Sequence, residues 1–92
     1  MIHFIVHGKQ DTVGVMVTDG AKGQKLSGWN METDETLEAS ALQDIPLGHK
    51  IAMKAIQAGE KVIKYNVPIG NATAGIAPGE HVHTHNLKTA RW

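Results

Sequence analysis

The chain has 92 residues and a mass of 9.9 kDa, with nine Lys plus Arg against nine Asp plus Glu, six histidines and no cysteine. That length leaves room for one domain with a thin core, not for a deep pocket walled on every side. The balanced charge offers no basic footprint for nucleic acid, the lack of cysteine removes disulfides and every thiolate nucleophile or ligand, and no apolar run approaches the roughly 20 residues of a membrane helix.

Met1 to His7 has the β-branched and aromatic residues of a strand. It lacks the basic-then-apolar grading of a secretory signal, so a cytoplasmic protein is expected. After a turn at Gly8-Lys9-Gln10-Asp11, Thr12 to Thr18 alternates again, and the two segments predict a hairpin. Asp19-Gly20 and Gly23 break the chain, Lys25 to Asn30 forms a short segment carrying Trp29, and Met31 to Glu35 is an acidic, exposed tip. Thr36 to Leu42 suits a strand or one helical turn. Lys61 to Gly75 is rich in strand formers, but Pro68 lacks a ladder donor and predicts an edge strand or a bend.

A small repeat punctuates the second half. Ile-x-x-Gly-x-x-(Ile/Val) occurs at Ile45…Gly48…Ile51, Ile56…Gly59…Val62 and Ile76…Gly79…Val82. Each copy predicts an apolar anchor, a glycine turn and the apolar start of the next strand. Pro46 and Pro78 pre-set backbone angles beside two of these turns. The pattern argues for a compact all-β clip with many short crossings.

The histidines carry the candidate chemistry. His81, His83 and His85 alternate with Val82 and Thr84, which on a strand places all three on one face. Their backbones are then about 6.6 Å apart, twice the ~3.3 Å rise per residue. His-x-His gives a divalent metal two nitrogen ligands, with His85 or Glu80 as the nearby candidates for a third. All three histidines are candidate metal ligands. His49 and Lys50 follow the Gly48 turn and are candidate substrate-binding residues, an anion site beside turn amides. His3 and His7 read as structural, Met16, Met31 and Met53 as core filler, and Trp29 and Trp92 as candidates for burial against a partner. Ser27 and Ser40 lie on no nucleophile elbow, and Gly20-Ala21-Lys22-Gly23 is too short for a phosphate loop. No catalytic base can be named.

Three segments resemble a known family. They are Asp44-Ile45-Pro46-Leu47-Gly48-His49-Lys50-Ile51-Ala52, Gly59-Glu60-Lys61-Val62-Ile63-Lys64-Tyr65 followed by Ile69-Gly70, and Gly79-Glu80-His81-Val82-His83-Thr84-His85-Asn86-Leu87. In content and order they are similar to the SAF-type N-terminal domain of the altronate and galactarate dehydratases, over nearly the whole chain. The resemblance implies a mainly β fold, an SAF-type β-clip of short strands with little helix, filling 1–92 as a single domain. That fold is related to type III antifreeze proteins and to the antifreeze-like domain of sialic acid synthase.

In most members the domain precedes a much larger one in the same polypeptide. The family eliminates water from sugar acids with a divalent metal, commonly iron. This sequence closes at Lys88-Thr89-Ala90-Arg91-Trp92, where the large domain would begin. A large catalytic subunit on a separate chain is therefore expected, with this chain inactive alone. Met1 to His7, Asp11 to Val15 and Arg91-Trp92 resemble the small subunits of two-chain lyases that take (2R)-3-sulfolactate to pyruvate and sulfite. The implied cofactor is a divalent metal, Fe2+ being the expected ion, held partly or mainly by the large subunit. The implied partners are that subunit and a small hydroxy acid, with no nucleic acid and no membrane. Two alternatives stay open: the small subunit of a split altronate/galactarate-type dehydratase, and a non-catalytic module binding a small acid or metal. Exposed strand edges also leave the isolated chain a route to a homodimer.

Overall fold

Short β-rich runs cut by glycine turns produce strands and no helix among the residues described, 1–89, in the computed structural model. The strands are β1 (Phe4–Val6), β2 (Val13–Met16), β3 (Lys25–Asn30), β4 (Thr36–Ser40), β5 (Lys50–Ala52), β6 (Lys61–Lys64), β7 (Val67–Ala72), β8 (His81–Val82) and β9 (Leu87–Thr89). Trp92 lies outside the described residues, and so does its expected role at an interface. No described helix is long and apolar enough to cross a membrane.

Six strands form one sheet in the order β4-β3-β1-β2-β5-β8, and β6-β7-β9 form a second. The expected hairpin is present: β1 pairs antiparallel with β2, Phe4 opposite Met16. Thr36–Ser40 resolves as a strand antiparallel to β3. One pairing was not foreseen: β1 also runs parallel to β3, with Phe4 opposite Gly28. Pro68 corrects the edge-strand reading. Its strand β7 is central, flanked by β6 and β9. But β9 pairs only with Gly70 to Ala72, and the β6 register shifts between Val62 and Ile63, so Pro68 occupies a locally one-sided, irregular stretch.

The glycine repeat is the framework of the molecule. Gly48, Gly59 and Gly79 all adopt a left-handed φ of 84–88°, a region open to glycine and strained for a residue with a Cβ. A further copy at Gly20 to Leu26 escaped the sequence pattern because glycine stands where the others have isoleucine; its Gly23 has the same φ of 84°. The copies associate in twos. Gly20 bridges Ile45, and Ile56 bridges Ile76, each through reciprocal backbone hydrogen bonds of 2.7–2.9 Å.

Two apolar clusters fill the interior. Phe4, Val6, Met16, Leu26, Ala41, Ile45 and Ile51 form one, and Val13, Ala52, Ile56, Val62, Ala72, Ile76, Val82 and Leu87 the other. The repeat isoleucines and valines thus anchor both. Met16 is buried and Met53 packs against the first cluster, whereas Met31 is half exposed at the acidic tip and is not core filler. Trp29 is partly buried and its indole N–H donates to Asp34 Oδ1 at 2.8 Å.

Candidate functional site

Strand β8 is only two residues long, and this shortness shapes the site. Val82 anchors it in the core, and β8 pairs with β5 through Lys50 opposite Val82 and Ile51 opposite His81. The chain then bends instead of continuing as a strand. Buried Asn86 drives the bend: its Oδ1 accepts the His83 N–H at 2.9 Å and its Nδ2 donates to the His81 carbonyl at 2.8 Å. The backbone N–H groups of Asn86 and Leu87 close the turn on the His83 carbonyl. Gln43 Oε1 accepts the His81 N–H at 2.9 Å. Asn86 and Gln43 are positioning residues the sequence reading missed; an Asn three residues after His83 is a usual turn signal and could have revealed the first.

The bend gathers His81 and His83 but not His85. The third imidazole comes from His49, across the β5–β8 pair. Its Nδ1 lies 2.8 Å from His81 Nε2, and its ring stacks on that of His83 with centroids 4.0 Å apart. One ring nitrogen from each of His49, His81 and His83 lies within 4.8 Å of the other two. Two nitrogens bound to one metal at ~2.0–2.1 Å sit about 3–3.4 Å apart, so modest ring rotations make a three-nitrogen set that leaves coordination positions free. His85 is exposed, its ring tilted against His81 at 5.1 Å. Glu80 is committed elsewhere, capping the Ala77 N–H at 3.1 Å and approaching Asn86 Nδ2 at 3.4 Å.

The repeat explains why His49 is available. The residue after each turn glycine normally folds its side chain back onto the turn. Gln24 accepts from the Ala21 N–H, Glu60 from Gln57 and Glu80 from Ala77. At the fourth turn the equivalent position holds Pro46, which has no N–H to give, and His49 replaces the capping Glu or Gln. Its imidazole is therefore released from the turn and used at the cluster. This departure was visible in the sequence once the copies are superimposed.

Electrostatics favour the neutral form of His81 and His83. Burial lowers the His81 pKa first, then the charges of His49, His85 and His83 lower it further. Burial lowers His83 too, followed by His49, Lys50 and His85. Lys50, half-buried beside them, is lowered by burial and then by Lys64. A neutral imidazole is the form that ligates metal. Folded pKa values below 6.5 mean that, between the folded value and 6.5, the unfolded chain binds more protons than the native one. The stability these groups contribute is present above 6.5 and is lost as pH falls through the lowered folded values. His7, lowered by burial and by Lys64 against the opposing pull of Asp11, acts in the same sense. Urea unfolding in the presence of a chelator should show a lower midpoint at pH 5.5 than at 7.5. His81→Gln should flatten that difference; an unchanged slope would refute the assignment.

The other sequence candidates separate cleanly. His3 is structural, its Nδ1 accepting the Ser27 N–H at 2.9 Å. His7 stacks on Tyr65 at 3.9 Å and is not part of the three-histidine group. His49, His81 and His83 are each partly exposed; one cleft runs along Lys25–Ser27 and Glu38–Ser40, another surrounds Gly20 and Ile45, and neither is lined by histidine.

Comparison with known proteins gives consistent relatives. A family model described as the altronate/galactarate dehydratase SAF domain matches residues 2–90. The chain is 49% identical over 92 residues to a (2R)-sulfolactate sulfo-lyase subunit alpha of Chromohalobacter salexigens, spanning 99% of this chain and 98% of that one. It is 55% identical over 53 residues to the subunit of the same name from Paracoccus pantotrophus, covering 58% of this chain and 79% of that one. It is 38% identical over 89 residues to an altronate dehydratase of Bacillus subtilis, covering 97% of this chain but 17% of that much longer protein.

Proposed function

Because this chain belongs to the altronate/galactarate dehydratase SAF domain family, we propose that it is the small subunit of a cytoplasmic two-chain lyase that converts (2R)-3-sulfolactate to pyruvate and sulfite. The observation that carries the reading is the His49–His81–His83 group, three partly exposed imidazoles that converge in a near-full-length relative of a sulfo-lyase alpha subunit. A partly exposed cluster needs a second surface to exclude water, and a large catalytic subunit supplies it. The chain alone is inactive. A sugar-acid substrate is the second reading, favoured by the similarity to altronate dehydratase.

The reaction removes a proton from the carbon bearing the hydroxyl and carboxylate, and breaks the adjacent carbon–sulfur bond. Sulfite leaves with the bond pair, and the resulting enol tautomerises to pyruvate. Three imidazole nitrogens would suit a divalent ion, with Fe2+ the expected one. Such an ion supplies charge stabilisation for the enolate. His49, His81 and His83 would hold it, His85 stands at the exposed rim, and Lys50 presents a cation next to the group. The proton-abstracting base belongs to the large subunit.

The test is reconstitution. The two subunits, supplied with Fe2+, should release pyruvate and sulfite from (2R)-3-sulfolactate together and not separately. His83→Ala and His49→Asn should each lower kcat at least tenfold and weaken metal binding by the small subunit. Unchanged turnover in both variants would overturn the proposed role; turnover of altronate instead would keep the mechanism and change the substrate.

A further inference from the structure

We propose that two copies of this chain pair through β4, antiparallel about a two-fold axis at Leu37, so that their six-stranded sheets join into one. The pairing uses no histidine and does not depend on the lyase reading.

The first observation is which sheet edges the chain closes. An edge strand presents unpaired N–H and C=O groups, which proteins cover or blunt. On β8, Gln43 Oε1 accepts the His81 N–H at 2.9 Å, and Asn86 Nδ2 donates to the His81 carbonyl at 2.8 Å. On β6, Thr12 Oγ1 accepts the Ile63 N–H at 3.0 Å, and the Thr12 N–H donates to the Ile63 carbonyl at 3.0 Å. Side chains and a loop thus stand in for the missing neighbour strand at both edges.

The β4 edge is left open. Asn30 N–H to Glu35 and Ala41 N–H to Gln24 bracket the β3–β4 ladder. By the alternation of an antiparallel pair, Leu37 and Ala39 bond to β3, while Thr36, Glu38 and Ser40 aim their N–H and C=O groups outward. Among the described residues nothing bonds to the outward groups of Thr36 or Glu38. Ser40 is different. Its carbonyl lies against Gly79, and the Leu42 N–H donates to the Gly79 carbonyl at 2.9 Å, so the β8 turn covers that end.

The second observation is that this edge complements itself in one register. Centring two antiparallel copies on Glu38 sets two carboxylates opposite each other, and like charges so placed repel. Centring on Thr36 sets Glu38 opposite Asp34, a second clash of acids, and Asp34 has a left-handed φ of 59° that ends the strand. Centring on Ala39 needs the covered Ser40. Centring on Leu37 sets Thr36 of each copy opposite Glu38 of the other, hydroxyl beside carboxylate. The two Leu37 residues then meet as a non-hydrogen-bonded pair, the closer kind. Leu37 is only partly buried against its own core cluster, which leaves apolar surface for its twin. The chain has no formal net charge to hold two copies apart. The paired stretch, Thr36 to Glu38, is short and buries less than the roughly 1,200–2,000 Å² of a stable complex, so the dimer is weak and reversible.

Sedimentation of the full chain from micromolar to millimolar concentration should show a reversible passage from monomer to dimer. The amide resonances of Thr36, Leu37 and Glu38 should shift with it. Glu38→Pro should abolish the dimer and keep the monomer fold, because the donor it removes points away from the β3 ladder. The chain has no cysteine, so single cysteines read the register. Leu37→Cys should link two copies under mild oxidation. Ala39→Cys, on the same face of β4, should link about tenfold more slowly, since its own twin lies beyond disulfide reach. A monomer at every concentration, or a dimer that survives Glu38→Pro, would overturn the proposal without recourse to either cysteine. Equal linking at both cysteines would overturn the register. Leu37→Cys that links to the large subunit and never to itself would overturn the dimer and give the β4 edge to that partner.

Discussion

Replacing Asp11 with alanine should remove about 3–5 kcal/mol of stability, because four backbone N–H groups lose a charged acceptor and not all can reach water. The carboxylate is 6% exposed and joins the Gly8 turn to the β6–β7 turn, 54 and 55 residues away in sequence. A domain of this length holds a total of roughly 5–14 kcal/mol. The loss is therefore a large fraction of the whole. Urea denaturation measures it directly. Asp11→Asn should cost less, since the amide oxygen still accepts while the amide nitrogen adds a donor with no partner. Equal midpoints for Asp11→Ala and the native chain would show that Asp11 does not hold the two turns together.

Gly28→Val should destabilise the chain by about 3 kcal/mol or more, the upper range for overpacking a core. Gly28 faces Phe4 across the parallel β1–β3 pair, and a Cβ there would overlap the edge of the Phe4 ring. Phe4 is fully buried and lies in the Met16–Leu26–Ile45 cluster. The ring cannot shift outward without opening that cluster, and Gly28 is held by β1 on one side and β4 on the other. Pairing Gly28→Ala with Phe4→Leu should recover part of the loss, a coupling a double-mutant cycle reads out. Simple additivity of the two substitutions would refute the contact.

Much of the fold was legible because its signals are local. Lys25 to Asn30 became β3, the β1–β2 hairpin followed from alternation and a turn, and three copies of the glycine turn were visible as a spacing. What escaped was long-range. The parallel β1–β3 pair has no crossover helix to announce it, and the Gly20 copy lacks its isoleucine. At the site, the strand reading put His81, His83 and His85 on one face, but the Asn86 clamp bends the chain after Val82. The bend leaves His85 at the rim and brings in His49, from a turn 32 residues away in sequence. No periodicity encodes that meeting. It follows from the β5–β8 register.

The same topology bears on how quickly the chain reaches its native state. Among the described residues β1–β2, β3–β4 and β6–β7 join neighbouring segments by a short turn. The remaining ladders close loops: β2 must find β5, β5 must find β8, and β1 must align beside β3 in the same direction. Each closure spends chain entropy before its contacts form, and domains dominated by such pairings fold in milliseconds to seconds, not microseconds. The three hairpins are then the natural early structures. The histidine face, which depends on β5 meeting β8, matures with the last closures, so ligand competence arrives with the complete fold and not before it.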